Sequence, residues 1–270
     1  WLEERGMTSL RGPMNPSFNY ELGMLIDGFD KPPTFMMTYN PPYYARLVEQ
    51  YGGFEKAQDL YAYVGDMETL ENLRSERTAM FIIEEAKRRF NVQIRQIDKS
   101  KFDKEIRMFL DIYNRAFDGH WGFVPLSEGE VTRISSELKH LIAPELTSVA
   151  EVDGEPIGCV FAMPDYNPRI KKIDGRLFPT GLIRLLWNRR AISRVRMIAT
   201  NVIPEYQRWG IGMVLLNEIV PEAIKWGLKE AEFSWIMESN RLSLGSVQRG
   251  GCVLTSTYRL YDRELKAAAR

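Results

Sequence analysis

The sequence predicts an α/β fold, a mixed and mostly antiparallel sheet flanked by helices, and three stretches carry that expectation. Residues 146–152 and 156–163 are apolar runs of strand length joined by Asp153-Gly154, a strong hairpin signal. Residues 196–203 form another strand-like run, followed by a glycine turn, a helical run over 211–226 and a further strand over 231–236. That order is the sequence form of a parallel crossover. Residues 91–97, NVQIRQI, alternate as a strand should and precede two amphipathic helices. Hairpin pairing and a crossover so close together require a sheet with both kinds of neighbour.

The remaining elements follow from the same two periodicities. The opening WLEERG has the form of a helix's last turn with Gly6 as its stop, and a strand is expected at 9–14. A segment rich in Pro, Tyr, Met and Asn comes next. Residues 43–51 read as a short helix ended by Gly52-Gly53, with a strand at 57–63. Residues 68–90 read as one charged helix, acids early and bases late, as the helix dipole favours. A helix over 101–117 places Phe102, Ile106, Phe109, Leu110 and Tyr113 on one face. Ser127 and Glu130 have capping-box spacing at the start of the next helix. Pro221 is expected to kink the helix at 211–226. After the crossover, 241–248 is a short helix stopped by Gly250-Gly251, and 253–261 closes as a strand.

Composition narrows the function classes. A length of 270 residues suits about two domains, and 44% apolar content is ample for a core. Basic and acidic residues balance at 36 each, so no global charge draws the chain to nucleic acid. Cys159 and Cys252 both lie in apolar surroundings, which argues against disulfides and for a reducing, cytoplasmic setting. Two histidines and two cysteines, all scattered, give no metal-ligand cluster. No apolar run reaches the ~18 residues of a spanning helix, and no G-x-S-x-G nucleophile elbow is present.

The stretch PEYQRWGIG (204–212) between strand and helix is the most informative. The first N–H groups of a helix have no partner within it, and the dipole favours an anion there. Gly210 and Gly212 would let a phosphate approach the backbone, and Gln207 and Arg208 could add side-chain donors. Two glycines alone are also what an ordinary helix start shows. The third glycine of a dinucleotide fingerprint would fall at Leu215, and a P-loop's lysine–hydroxyl pair is missing.

The longer match Q-R-W-G-I-G, with ESN at 238–240, a short helix, Gly250-Gly251 and a closing strand, resembles the GNAT superfamily of acyl-CoA-dependent N-acyltransferases. Residues 92–270 resemble one complete GNAT-like domain. Residues 1–65 repeat its second half: Gly6, a strand to Asn15, Asn40, a short helix, Gly52-Gly53 and a strand parallel Gly227, the strand to Ile236, Asn240, its helix, Gly250-Gly251 and the last strand. The chain is thus similar to bacterial tandem-GNAT proteins. The expected organisation is a truncated GNAT-like domain at 1–65, a linker helix at 66–91 and a whole domain at 92–270. Residues 1–65 are then expected to expose apolar sheet surface where their missing partners belong.

The resemblance implies a site. The backbone of Thr200, Asn201, Val202 and Ile203 would bond the pantetheine arm of an acyl-CoA, acetyl-CoA above all. The pyrophosphate would rest on Gln207, Arg208, Trp209, Gly210, Ile211 and Gly212, and Asn240 would touch the pantetheine arm or cap its helix. Many relatives use a glutamate on the strand before the turn as base; Asn201 stands there and could only position a water, which leaves Glu238 as the carboxylate, or a surface one. The family's usual tyrosine acid falls at Val247, and Tyr258 and Tyr261 read as packing residues. No metal is implied. The acceptor would be a small-molecule or peptide amine. Non-catalytic acyl-CoA binding and an aminoacyl- or lipid-linked acyltransferase are the alternatives.

Three other segments have two readings each. GHWGFVP (119–125) is a packed loop, or His120 and Trp121 face substrate. PDYN (164–167) is a plain turn or a wall of the cleft. Residues 169–196 hold nine Lys/Arg against one acid, Asp174. They read first as solvated arginines on a packed helix, and otherwise as a contact for the 3′-phosphate of CoA, an acidic acceptor or a membrane surface.

Overall fold

The computed structural model describes residues 1–15 and 17–265. The first third holds β1 (Ser9–Gly12), β2 (Met24–Asp27), α1 (Tyr43–Tyr51), β3 (Glu55–Asp66), α2 (Met67–Arg74) and α3 (Arg77–Phe90). Next come β4 (Gln93–Arg95), α4 (Phe102–Phe117), α5 (Glu128–Leu138), β5 (Thr147–Val152) and β6 (Glu155–Pro164). An insertion carries α6 (Asn167–Lys172) and α7 (Gly181–Leu186). The chain closes with β7 (Arg194–Val202), α8 (Ile211–Trp226), β8 (Glu230–Met237), α9 (Arg241–Arg249) and β9 (Val253–Glu264).

Asp153 and Gly154 take φ of 52° and 81° and join β5 to β6 as an antiparallel hairpin. Ser127 and Glu130 close the capping box of α5. Among the described residues the nine strands form one sheet in the order β1-β9-β3-β8-β7-β6-β5-β4, with β2 also paired to β9. Every pairing is antiparallel except β7 with β8. Val160 and Ala162 join one core with α2, α3 and α8, while Phe161 and Met163 join another with α4 and α5. Alternation along β6 therefore separates the two helical layers.

The strand at 55–66 has a place that its position in the chain does not announce. β3 lies between β8 and β9 and pairs with both, so the sheet runs without a break across the boundary expected at residue 65. The apolar sheet surface expected to lie bare on residues 1–65 is covered: Leu22, Leu25, Leu60 and Ala62 form a core with Tyr258 and Leu260 of β9. Asn40 does not cap α1. Its amide bonds the N–H and C=O of Leu25 instead, whereas Asn240 does cap α9, accepting from Ser243 N.

The single helix expected at 68–90 is two. Leu70 and Ala79 are both buried, yet nine positions at 3.6 residues per turn would turn them to opposite faces of one straight rod. The chain leaves helical geometry at Glu76 (ψ 138°), and each helix then seats its own apolar face. Asp66 caps α2 through Thr69 N at 2.8 Å.

Candidate functional site

β7 and β8 are neighbours only from the Arg194–Glu230 pair to the Met197–Phe233 pair. Beyond it β7 runs on to Val202 and β8 to Met237 unpaired to each other, so the strands part. Each strand is irregular where they part: on β8, Ser234 and Trp235 stand opposite Ala62 alone, between the Tyr61–Ile236 and Tyr63–Phe233 pairs. On the other edge of β7, Phe161 pairs with Ala199 and Ala162 with Met197, leaving Ile198 as an extra residue, and such a bulge bends its strand. The Ile203 N–H bonds Ile157 O at 2.9 Å. Alternation of the antiparallel ladder then directs the N–H groups of Val202 and Thr200 toward the side β8 has vacated.

The glycine turn sits at the end of that opening. Gly210 is left-handed (φ 79°) and caps α8. Met213 N and Val214 N bond Gly210 O, but no carbonyl among the described residues accepts from the N–H groups of Arg208, Gly210, Ile211 or Gly212. The Arg208 guanidinium is exposed and makes no hydrogen bond or ion pair among the described residues. Four free N–H groups, a helix N-terminus and a free arginine fit a pyrophosphate. Gly212 faces the opening: a Cβ there would meet only Thr200 Cγ2, at 3.6 Å.

Two residues of the turn are committed elsewhere. Gln207 Nε2 donates to Val202 O (3.1 Å) and Ala116 O (3.3 Å), so its side chain ties the turn to β7 and α4. Trp209 packs against Phe90, with the Arg89 guanidinium 3.9 Å from its ring centroid. Both lend the loop rigidity.

Asn201 is 2% exposed, and its Nδ2 has no hydrogen-bond partner. With Thr200 and Val202 turned toward α8, alternation puts Asn201 on the other face. Glu238 lies just past β8, its N–H bonded to Asp59 O and its carboxylate 2.7 Å from Lys56 Nζ. Asn201 Nδ2 thus makes no hydrogen bond to Glu238. Lys56 also pairs with Asp59, which Arg259 holds at 2.8 Å. Asn240 Oδ1 is spent on the α9 cap. Ile203 and Ile211 are buried in the core behind the turn.

β3 brings to this end of β8 groups that lie far from it in sequence. Tyr61 and Tyr63 pack in a cluster with Val247, the position where the tyrosine is missing. Burial raises the Tyr61 hydroxyl, and the charges of Glu238 and Asp59 add to the effect. Tyr63 Oη accepts from Gln248 Nε2 at 3.1 Å. Tyr258 and Tyr261 are buried on β9, and burial pushes the Tyr258 hydroxyl up to about 12.

Where β7 and β8 begin to part, a buried polar network anchors the loop at 33–37. Arg196 is 3% exposed and donates to Ser234 Oγ (2.9 Å), Ser234 O, Phe35 O and Met36 O (2.9 Å). Burial pushes its guanidinium down to about 10. Glu232 meets Thr34, Ser234 and Arg194. PDYN belongs here too: Asp165 accepts from Phe35 N, and Asn167 Nδ2 donates to Pro33 O. Burial raises the Asp165 carboxyl. Trp121 packs on Phe18 under Arg11, and His120 on Phe117, so GHWGFVP is a packed loop. An open cleft of about 380 Å³ lies between Phe35, Met36, Met37, Leu138, Leu141 and Asn167, with Glu21 and Glu137 also lining it. No group of three metal-ligating side chains occurs among the described residues.

A strand pair that parts ahead of a glycine turn and a helix N-terminus fits an acyltransferase fold, and residues 106–249 match the acetyltransferase (GNAT) family. The chain belongs to that family. It is 34% identical over 275 residues to a bacterial ceramide synthase of Caulobacter vibrioides (strain NA1000 / CB15N), covering 98% of this chain and 69% of that protein. It is 31% identical over 271 residues to protein YghO of Escherichia coli (strain K12), covering 98% and 68%. A solved tandem GNAT protein from the clavulanic acid biosynthesis pathway superposes with a TM-score of 0.52 at 9% identity. That match covers 99% of this chain but 66% of the other, and supports the fold alone.

Proposed function

We propose that this chain transfers the acyl group of an acyl-CoA to an amine. The observation that carries this reading is the parting of β7 from β8 at Ile198, beside the unbonded N–H groups of Arg208, Gly210, Ile211 and Gly212. The neutral amine attacks the thioester carbonyl and the new C–N bond forms. The oxyanion is held by N–H groups of the vacated edge of β7, that of Val202 foremost. The C–S bond then breaks, the thiolate takes a proton, and the nitrogen loses one. Glu238 is the carboxylate assigned to the nitrogen's proton. Tyr61, a phenol protonated at neutral pH and raised further by burial, is the donor assigned to the thiolate. Asn201 holds a water or an acceptor polar group on its free Nδ2.

The acceptor we favour is an amphiphilic amine. The cleft beside the 33–37 loop offers Phe35, Met36, Met37, Leu138 and Leu141 for a tail and the carboxylates of Glu21 and Glu137 for a cation. A relative named for ceramide synthesis supports an amide-linked lipid product and a long acyl donor over acetyl. The test is calorimetry with acetyl-CoA and palmitoyl-CoA, followed by thiol release with a long-chain amino alcohol and a short one. Release that needs the long amine is expected. Binding without release on any amine makes the protein a thioester sensor, and no binding at all removes both readings.

A further inference from the structure

We propose that the insertion between β6 and β7 docks this protein on the surface of an anionic lipid bilayer. The inference stands apart from the transferase reading, because it rests on a different surface.

The insertion is a built platform. Ile173, Leu185 and Ile192 turn inward and pack with Met163, Tyr166 and Phe161. Arg169 donates to the carbonyls of Leu185, Trp187 and Asn188, and Arg189 to those of His140 and Ile142. These two arginines are therefore structural, which corrects the expectation of solvated ones. Arg194 and Arg196 are also inside, in the Glu232–Ser234 network.

What the platform presents outward is apolar and basic together. Phe178 is 89% exposed, Trp187 74% and Ile183 63%, with Leu177 and Leu182 also half bare. Lys171, Lys172, Arg176 and Arg184 of the same insertion are exposed as well, and of these four only Arg176 has an ion-pair partner among the described residues, Asp174 at 3.8 Å. Single exposed apolar side chains are ordinary, but five within residues 177–187 are the kind of concentration that marks an interaction surface. Exposed aromatic, aliphatic and basic side chains together within residues 171–187, on a chain whose net charge is zero, match the acyl–headgroup boundary of an anionic leaflet. A protein partner of the same chemistry would need acids opposite four flexible lysine and arginine side chains. A bilayer supplies them at any register.

No helix among the described residues is long and apolar enough to cross a membrane, so the contact we infer is peripheral. Asn167, the first residue of α6, lines the cleft with Phe35 and Leu141, so docking through the insertion would hold that cleft beside the lipid.

The test is sedimentation of the full chain with vesicles of phosphatidylcholine alone and with about 30% phosphatidylglycerol. Binding to the anionic vesicles is expected, with loss in high salt. Lys171→Gln with Lys172→Gln should weaken it about 25-fold, at roughly fivefold per charge removed near such a surface. Phe178→Ser with Trp187→Ser should weaken it at least as much while leaving the melting temperature unchanged, since both side chains are exposed. The proposal is overturned if the wild type stays in the supernatant, or if binding survives both double variants. It is also overturned if the Phe178/Trp187 variant converts a dimer to a monomer with vesicle binding intact, which would assign the face to a second copy.

Discussion

A Cβ on Gly210 would stand 2.6 Å from Ile82 Cγ2, so α3 presses directly on the turn proposed to hold pyrophosphate. Gly210 is also left-handed, where any other side chain is strained. A substitution there thus tests packing and binding at once. Gly212 has neither restriction. Gly212→Asp should keep the melting temperature and lose roughly tenfold or more in CoA affinity, through one added negative charge at an anion site. Gly210→Asp should unfold the turn, and its melting curve should show it. Calorimetry with CoA on both variants, with Gly212→Ala as the neutral control, checks the placement; unchanged affinity in Gly212→Asp would move the pyrophosphate elsewhere.

Periodicity carried most of the fold. The hairpin at Asp153-Gly154, the capping box at Ser127 and the span of α8 are local, and local chemistry announces them. β2 was not announced, because its four residues are held by pairing with β9, some 230 residues away. The seat of β3 between β8 and β9 was not announced either, since no local signal says which strands a strand will join. For the same reason the glycine turn was legible while Tyr61 was not: the turn is contiguous, and Tyr61 reaches Val247 only through sheet topology. Its neighbours in sequence make Gln207 look like a donor for ligand, but Val202 O and Ala116 O claim its amide first.

The Lys56–Asp59–Arg259 network predicts a pH dependence. Burial acts to raise the Asp59 carboxyl, but hydrogen bonds from Arg259 and Lys56, with their charges, outweigh it and hold it below its ordinary value. A depressed carboxyl contributes stability above its unfolded pKa, near 3.8, and that contribution is lost as pH falls through the folded value. Asp59→Asn should cost about 3 kcal/mol at neutral pH, because Arg259 loses its buried counter-charge. It should also flatten the stability curve below about pH 4. Urea denaturation of wild type and variant from pH 3 to 7 checks both; a parallel offset at every pH would remove the assignment.

Arg196 predicts a difference between two cations. Its guanidinium meets four oxygens, on Ser234, Phe35 and Met36. Lysine offers three donors on one nitrogen and cannot span that fork. Arg196→Lys should therefore destabilise by about 2–3 kcal/mol, and Arg196→Met by about 3–5 kcal/mol with Glu232 left short of counter-charge. Because the carbonyls released belong to residues 35 and 36, limited proteolysis should cut at the 33–37 loop first in both variants. Cleavage elsewhere would mean that the loop is held by other contacts.

Tyr61 and Glu238 predict how the proton steps divide. Both flank the end of β8, with Lys56 paired to the Glu238 carboxylate at 2.7 Å. The Tyr61 hydroxyl is raised by burial and by that carboxylate, so it remains a proton donor throughout the neutral range. Tyr61→Phe removes the donor and leaves the ring packed against Tyr63 and Val247. The expected result is a kcat lower by about 10²-fold at unchanged KM for the thioester, within the usual reach of acid catalysis. A thioester with a more acidic leaving thiol should recover much of that loss, because its thiolate leaves without a proton. Glu238→Gln should lower kcat by a similar factor with no such recovery, since the proton it takes comes from nitrogen. If both variants respond alike to the leaving group, one of the two roles is misassigned. If neither variant loses rate, solvent carries both protons, and the parted strands with the N-terminus of α8 act by positioning alone.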